Sequence, residues 1–227
     1  MNDLKNMRSI QGKLMLLLTL FIIVGNACKA QEGKTWLRFE GKEGPGKGKH
    51  IVLISGDDEY RSEEAMPMLG RLLAQHYGFT CTVLFPIEPE TGHIVPSYQN
   101  NIPGLEHLET ADLMILLTRF RELPDEQTQH FHNYLLTGKP IIGMRTATHA
   151  FHYEKNKNSP FAKYHWRNTE KGWEGGFGQQ ILGETWVAHH GDHGKEGARG
   201  LIDGLCSSLN SVDRLVQHSL NISIGQS

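Results

Sequence analysis

Lys139-Pro-Ile-Ile-Gly-Met-Arg-Thr-Ala-Thr-His-Ala-Phe151 carries the strongest structural signal in this chain. Its apolar beginning, residues 140–144, predicts a buried parallel strand that turns sharply into a helix, a position at which α/β enzymes often carry a nucleophile. The residue at the turn is Arg145, whose guanidinium stays protonated and has no lone pair with which to attack. The architecture therefore resembles that of an enzyme with a nucleophile at this turn, whereas the chemistry must differ.

Three other apolar runs predict further strands of the same sheet, at 49–56, 79–85 and 112–118, with a short last strand at 186–190. Helical spacing predicts a helix from about Glu64 to His76, and Pro124 and Gly138 bracket a second one. Strands that alternate with helices and read as continuous apolar runs predict an α/β fold with a mainly parallel sheet.

The remaining segments organise the chain into four parts. Residues 1–30 are expected to be an export signal, 31–48 a flexible Gly- and Lys-rich lead-in, 49–204 the folded domain and 205–227 an irregular tail. Residues 153–180 are expected to form a long inserted loop.

The amino-terminal segment has the pattern of a secretory signal. Lys5, Arg8 and Lys13 precede an eleven-residue, largely apolar run, which is too short for a membrane-spanning helix. Cleavage after Ala30 and lipid attachment at Cys28 are both compatible with the residues that follow. We therefore expect an exported protein that is periplasmic, or membrane-anchored if Cys28 is lipidated.

Composition excludes some classes of partner. The formal net charge is −2 and no basic patch occurs, so nucleic acid is not expected as a partner. Three cysteines do not make a disulfide scaffold. The oligomeric state does not follow from the sequence.

Chemically active side chains follow the predicted strands at their carboxyl ends, where open parallel sheets bind ligands. This mixture of carboxylates, guanidinium groups, hydroxyls and imidazoles suits a polyhydroxylated or anionic small molecule. The candidate substrate-binding and catalytic residues are Asp57, Asp58, Glu59, Tyr60, Arg61, Arg119, Arg145, Thr146, Thr148, His149, His190 and His193.

Each group also has a structural interpretation. The acidic residues of the first loop could equally support the helix that follows. Arg119 and Arg121 could equally form surface ion pairs. Arg145 is expected to pair with Glu59 or Asp57, because a turn after a buried strand is a costly place for an unpaired charge.

The histidines at 189, 190 and 193 suggest proton transfer, sugar binding or loop structure, and less strongly a metal site. Neighbouring side chains on a strand point to opposite faces, so only one of the first two can line a given pocket. No dense second set of ligands accompanies them. We therefore predict no cofactor, with a divalent metal at His190 and His193 as the alternative.

The chain resembles the trehalose-utilisation (ThuA-like) family of the class I glutamine amidotransferase-like superfamily, over roughly residues 49–204. Three stretches carry the resemblance: 50–64, 138–151 and 189–194. It implies a flavodoxin-like three-layer sandwich and a role in bacterial carbohydrate metabolism, including oxidised (3-keto) glycosides. Amidotransferases carry a cysteine where Arg145 stands, so glutamine hydrolysis is not expected. The match stops near residue 204, which suggests a truncated or frame-shifted terminus.

Two functional hypotheses follow. The first is an exported enzyme, a hydrolase or isomerase of a sugar or keto-glycoside, in which Glu59 and His190 act as acid and base and Arg145 holds an oxygen-rich substrate. The second is a non-catalytic sugar-binding or accessory protein, with Trp166, Trp173 and Trp186 as a stacking surface, although loop aromatics more often serve packing.

Overall fold

The computed structural model describes residues 35–188, 191–192 and 195–197. A five-stranded sheet has the order β1-β3-β2-β4-β5, in which β1 is antiparallel to β3 and all other neighbours are parallel. The strands are β1 Trp36–Phe39, β2 His50–Gly56, β3 Thr80–Leu84, β4 Leu113–Thr118 and β5 Ile141–Gly143. The predicted α/β class with a mainly parallel sheet is confirmed.

In the described ranges, two α-helices and several short helical turns accompany the sheet. The α-helices are α1 Ser62–Tyr77 and α2 Asp125–Leu136. The 3-10 helices are Leu105–Thr110, Arg145–His149 and Ala162–Tyr164, and Gly178–Leu182 forms a π-helical turn. Both predicted α-helices are present, and α1 starts at Ser62, slightly earlier than expected.

β2 is central, and all seven of its residues are buried. Side chains of a strand alternate between its two faces. Val52 and Ile54 accordingly pack in a cluster with Phe131 of α2. Leu53 packs in a second cluster with Met66 of α1. Apolar contacts on both faces explain why the strand reads as a continuous apolar run.

β1 corrects the expected flexible lead-in over 31–48. Trp36 to Phe39 pairs with β3 in register from Trp36↔Leu84 to Phe39↔Cys81. As an edge strand it is only half covered, and its polar member Arg38 lies at hydrogen-bonding distance (3.5 Å) from Thr82 Oγ1. The apolar periodicity of four half-exposed residues is too weak to stand out beside the glycines that follow.

The last expected strand is not formed in its described part. Residues 186–188 have no strand pairing, and 189–190 lie outside the described residues. Trp186 instead contacts the ring of Trp166, with centroids 4.9 Å apart, and that of His149 at 5.0 Å. The apolar Trp186 of this segment therefore packs against neighbouring rings in a loop and does not belong to a strand.

Cys81 lies on β3, between β1 and β2, as a buried free thiol, and burial raises its pKa to about 12. Cys28, Cys206, the export signal and the tail fall outside the described residues. None of the helices that the structure describes combines the length and the apolar character needed to cross a bilayer.

Candidate functional site

The carboxyl ends of β2, β4 and β5 lie at the same edge of the sheet. Gly56 pairs with Thr118, and Leu116 with Gly143, so the three strands end side by side. The segments that follow them carry most of the candidate residues. The expected convergence of separate stretches of chain at one edge is therefore present for these three loops.

Strained backbone is concentrated at this edge. In the described part of the chain, the non-glycine residues with positive φ are Arg61 (51°), Phe120 (53°) and Arg145 (48°). They follow β2, β4 and β5 respectively. Each left-handed residue with a side chain costs about 1–2 kcal/mol, and such strain is often found at functional sites.

Asp57 links the loop after β2 to the turn after β5. It is fully buried; its Oδ1 accepts the amides of Glu59 (2.7 Å) and Tyr60 (2.8 Å), and its Oδ2 accepts the hydroxyl of Thr146. With these contacts Asp57 holds two loops together, which is a structural role. Thr146, also buried, is positioned by the same bond.

Arg119 forms ion pairs with the acidic residues of the first loop. Its guanidinium lies 3.1 Å from Asp58 Oδ1 and 3.0 Å from Glu59 Oε1. The Arg119 side chain is only 20% exposed and that of Glu59 33%, so this pair is partly shielded from water. Among the described residues, the buried Nε atom of Arg119 has no hydrogen-bond partner. The arrangement is thus more than a solvated surface pair, and the part of the chain that the structure describes leaves one donor of Arg119 unpaired.

Arg145 differs from the expectation. No hydrogen bond or ion pair joins it to Asp57 or Glu59, all three of which are described; its guanidinium carbon lies 3.9 Å from the centre of the Tyr60 ring. The residue is exposed, so water offsets the charge and no carboxylate partner is needed. The turn is also followed by a five-residue 3-10 helix, not by a regular α-helix.

We call Glu59, Tyr60, Arg119 and Arg145 the strand-end cluster. It joins a carboxylate, a phenol ring and two guanidinium groups on three neighbouring loops, and all four side chains reach solvent. Such groups can bind the oxygen atoms of a polar ligand and offer one carboxylate for proton transfer.

The other candidate residues lie near this cluster or outside the described residues. Arg61 pairs with Glu64 in the first turn of α1. Thr148 Oγ1 lies 3.3 Å from Nδ1 of His149, which is buried beside Phe120. His190 and His193 fall outside the described residues, so their place relative to the cluster remains a prediction.

Arg121 is buried, contrary to a surface ion pair. Its Nε donates to the carbonyl of Arg119 (2.7 Å) and a terminal nitrogen donates to that of Tyr98 (2.8 Å). Burial lowers its pKa to about 10. Arg121 therefore supports the loop that carries Arg119.

Two of the tryptophans serve packing. Trp166 is 8% exposed and contacts the rings of Phe120 and Trp186. Trp173 packs on Tyr164 with ring centroids 5.3 Å apart. Because Trp166 is buried, a stacking surface made of all three tryptophans is not formed; Trp173 and Trp186 are both half-buried.

A group that the sequence analysis missed lies on the loop after β5. His152, Glu154 and His165 each place one potential ligand atom within 4.8 Å of the other two, so this group could hold a metal ion. Burial, and then the charge of His152, lower the pKa of His165. The spacing His152-x-Glu154 is the feature of the sequence that could have indicated this group, because alternate residues of an extended segment lie on the same side.

The chain was compared with models of protein families, with curated proteins and with solved structures, and none of them matches it.

Proposed function

We propose that this chain is a ThuA-like protein of bacterial carbohydrate metabolism that binds a sugar or keto-glycoside at the strand-end cluster and transforms it by general acid/base chemistry. The observation that carries the proposal is the meeting of three strained loops at one sheet edge, with oppositely charged side chains between them. Ligand sites of open parallel sheets occupy this position.

The chemistry assigns a role to each group. Glu59 accepts a proton from the carbon beside a keto group or from a hydroxyl, and Arg145 holds the oxygen on which negative charge develops. His190 is the proposed second acid/base group. No cysteine nucleophile and no cofactor are needed, so glutamine hydrolysis is not part of the proposal.

The fold and location complete this proposal. The sheet, with apolar clusters that contain residues of α1 and α2, is compatible with a flavodoxin-like three-layer sandwich. We propose that the protein acts after export, in the periplasm or attached to a membrane through Cys28. Its partner is then a small carbohydrate.

Replacement of Glu59 by Gln tests the reaction. This change keeps the size of the side chain and removes its ability to accept a proton, so turnover of 3-keto-glycosides, followed by NMR, should fall by about 10²–10⁴-fold. Glu109→Gln is the matched control, because Glu109 precedes β4, away from the carboxyl end of that strand, and pairs with His130 of α2. Equal turnover by the Glu59 variant and the wild type would remove Glu59 from the mechanism.

A non-catalytic sugar-binding protein is the second candidate. The ion pair with Arg119 favours it, because part of the accepting capacity of Glu59 is already used. Calorimetric binding of a glycoside that NMR shows to be unchanged after prolonged incubation would select this function. Consumption of the same glycoside would exclude it.

A further inference from the structure

Two imidazoles and a carboxylate meet on the loop that follows β5. The rings of His152 and His165 are stacked, with centroids 5.0 Å apart and planes 19° from parallel. Nε2 of His152 lies 2.9 Å from Oε1 of Glu154. One ligand atom from each of the three residues lies within 4.8 Å of the others. Donor atoms around a tetrahedral Zn²⁺ are about 3.4 Å apart, so small side-chain rotations close the remaining gap.

The backbone that carries these residues is held in place. Phe151 forms a parallel bridge with Arg121, and the amide of His152 donates to the Arg121 carbonyl at 2.9 Å. The amide of Trp166 donates to the Phe151 carbonyl at 3.1 Å. His152 and His165 are thereby fixed on two neighbouring segments beside the sheet, which lowers the entropic cost of binding an ion between them.

We propose that His152, Glu154 and His165 form a binding site for a divalent transition-metal ion, with at least one coordination position open to solvent. The side chains of His152 and Glu154 are 32% and 56% exposed, so water or a ligand can reach the ion. The site lies next to the strand-end cluster, because the Phe120 ring is 5.2 Å from that of His152 and 4.5 Å from the guanidinium of Arg119.

The donor set selects the class of ion. Two imidazoles and one carboxylate suit Zn²⁺ and its first-row neighbours, whereas Mg²⁺ and Ca²⁺ prefer oxygen ligands. The three ligands and an open position are also the arrangement of catalytic zinc sites. The proposal does not depend on the carbohydrate assignment, because its test measures metal binding alone.

Besides the bond between Nε2 of His152 and Glu154 (2.9 Å), which coordination through Nε2 replaces, a second hydrogen bond opposes binding. Nδ1 of His165 accepts the amide of Tyr153 at 3.2 Å. Coordination through Nδ1 replaces this bond, and coordination through Nε2 places the ring proton on Nδ1, so the bond is lost either way. At this length we expect the loss to weaken binding by only about two- to tenfold.

Titration calorimetry with Zn²⁺, on the full chain purified without a histidine tag, tests the proposal. We expect one ion per chain and no comparable binding of Mg²⁺ or Ca²⁺. Glu154→Gln and His152→Gln should each weaken Zn²⁺ binding by at least about tenfold. Both side chains reach the surface, so the variants should fold, and thermal melting without metal checks this.

His130→Gln is the matched control, because His130 pairs with Glu109 but belongs to no group of three potential ligands among the described residues. Its Zn²⁺ affinity should equal that of the wild type. The proposal is overturned if the wild type does not bind Zn²⁺. It is also overturned if Glu154→Gln and His152→Gln bind as the wild type does, or if only His193→Gln abolishes binding.

Discussion

Arg145 has two properties that substitutions can separate: a left-handed backbone with φ of 48° and a guanidinium stacked on Tyr60. Glycine adopts positive φ at little cost, whereas alanine keeps the strain. Arg145→Gly should therefore be more stable than Arg145→Ala by about 1 kcal/mol in urea unfolding. Both variants lose the guanidinium, and both should bind keto-glycosides more weakly.

An alanine variant at least as stable as the glycine variant would contradict the left-handed turn. Arg145→Lys serves as the functional control. It keeps the charge but lacks the planar fork of donors, so its ligand binding should be intermediate.

The position of Arg145 at the turn after β5 was predictable from the sequence, but its contact with Tyr60 was not. Its position follows from the apolar run that ends before it, a pattern with a local physical cause. Its contact depends on which loops approach from other strands and on the exposure of the side chain. The cost of an unpaired charge was argued for a buried site, and Arg145 is exposed, so that argument did not apply.

At the scale of the element, Ser62 connects β2 to α1. Its hydroxyl oxygen accepts the buried amides of Gly56 (3.1 Å) and Asp57 (2.8 Å) and donates to the Asp57 carbonyl at 3.0 Å. Ser62→Ala leaves two buried amides without an acceptor. We expect a loss of about 2–4 kcal/mol in the free energy of unfolding.

Chemical denaturation of Ser62→Ala beside Ser97→Ala measures this effect. Ser97 is exposed in the connection between β3 and β4, so its variant should unfold like the wild type. If the two variants unfold at the same denaturant concentration, Ser62 does not hold the loop.

The elements best predicted from the sequence were those with the strongest burial. β2 and β4 are continuous apolar runs because both of their faces are covered, and α1 ends where Gly78 adopts a φ of 79°. β1 was missed because a half-covered edge strand of four residues has little periodicity. A helix was predicted after β5, but the sequence does not reveal that it is a five-residue 3-10 helix.

At the scale of the whole molecule, the sheet brings together groups far apart in the sequence. Arg119 reaches the loop after β2, and Arg145 reaches Tyr60, across neighbouring strand ends. The parallel order of the strands made this meeting predictable. The His152 group was not predictable in the same way, because a backbone hydrogen bond from Trp166 to Phe151 and the stacking of His165 on His152 bring the two segments together, and no strand pairing among the described residues does so.

The central claim is that the strand-end cluster receives an oxygen-rich sugar derivative. Crystals soaked with a panel of glycosides and 3-keto-glycosides test it most directly. The account predicts a bound ligand with oxygen atoms about 3 Å from the carboxylate of Glu59 and the guanidinium of Arg145. A sugar that binds elsewhere on the molecule, while the strand-end cluster is open to solvent and empty, would contradict it.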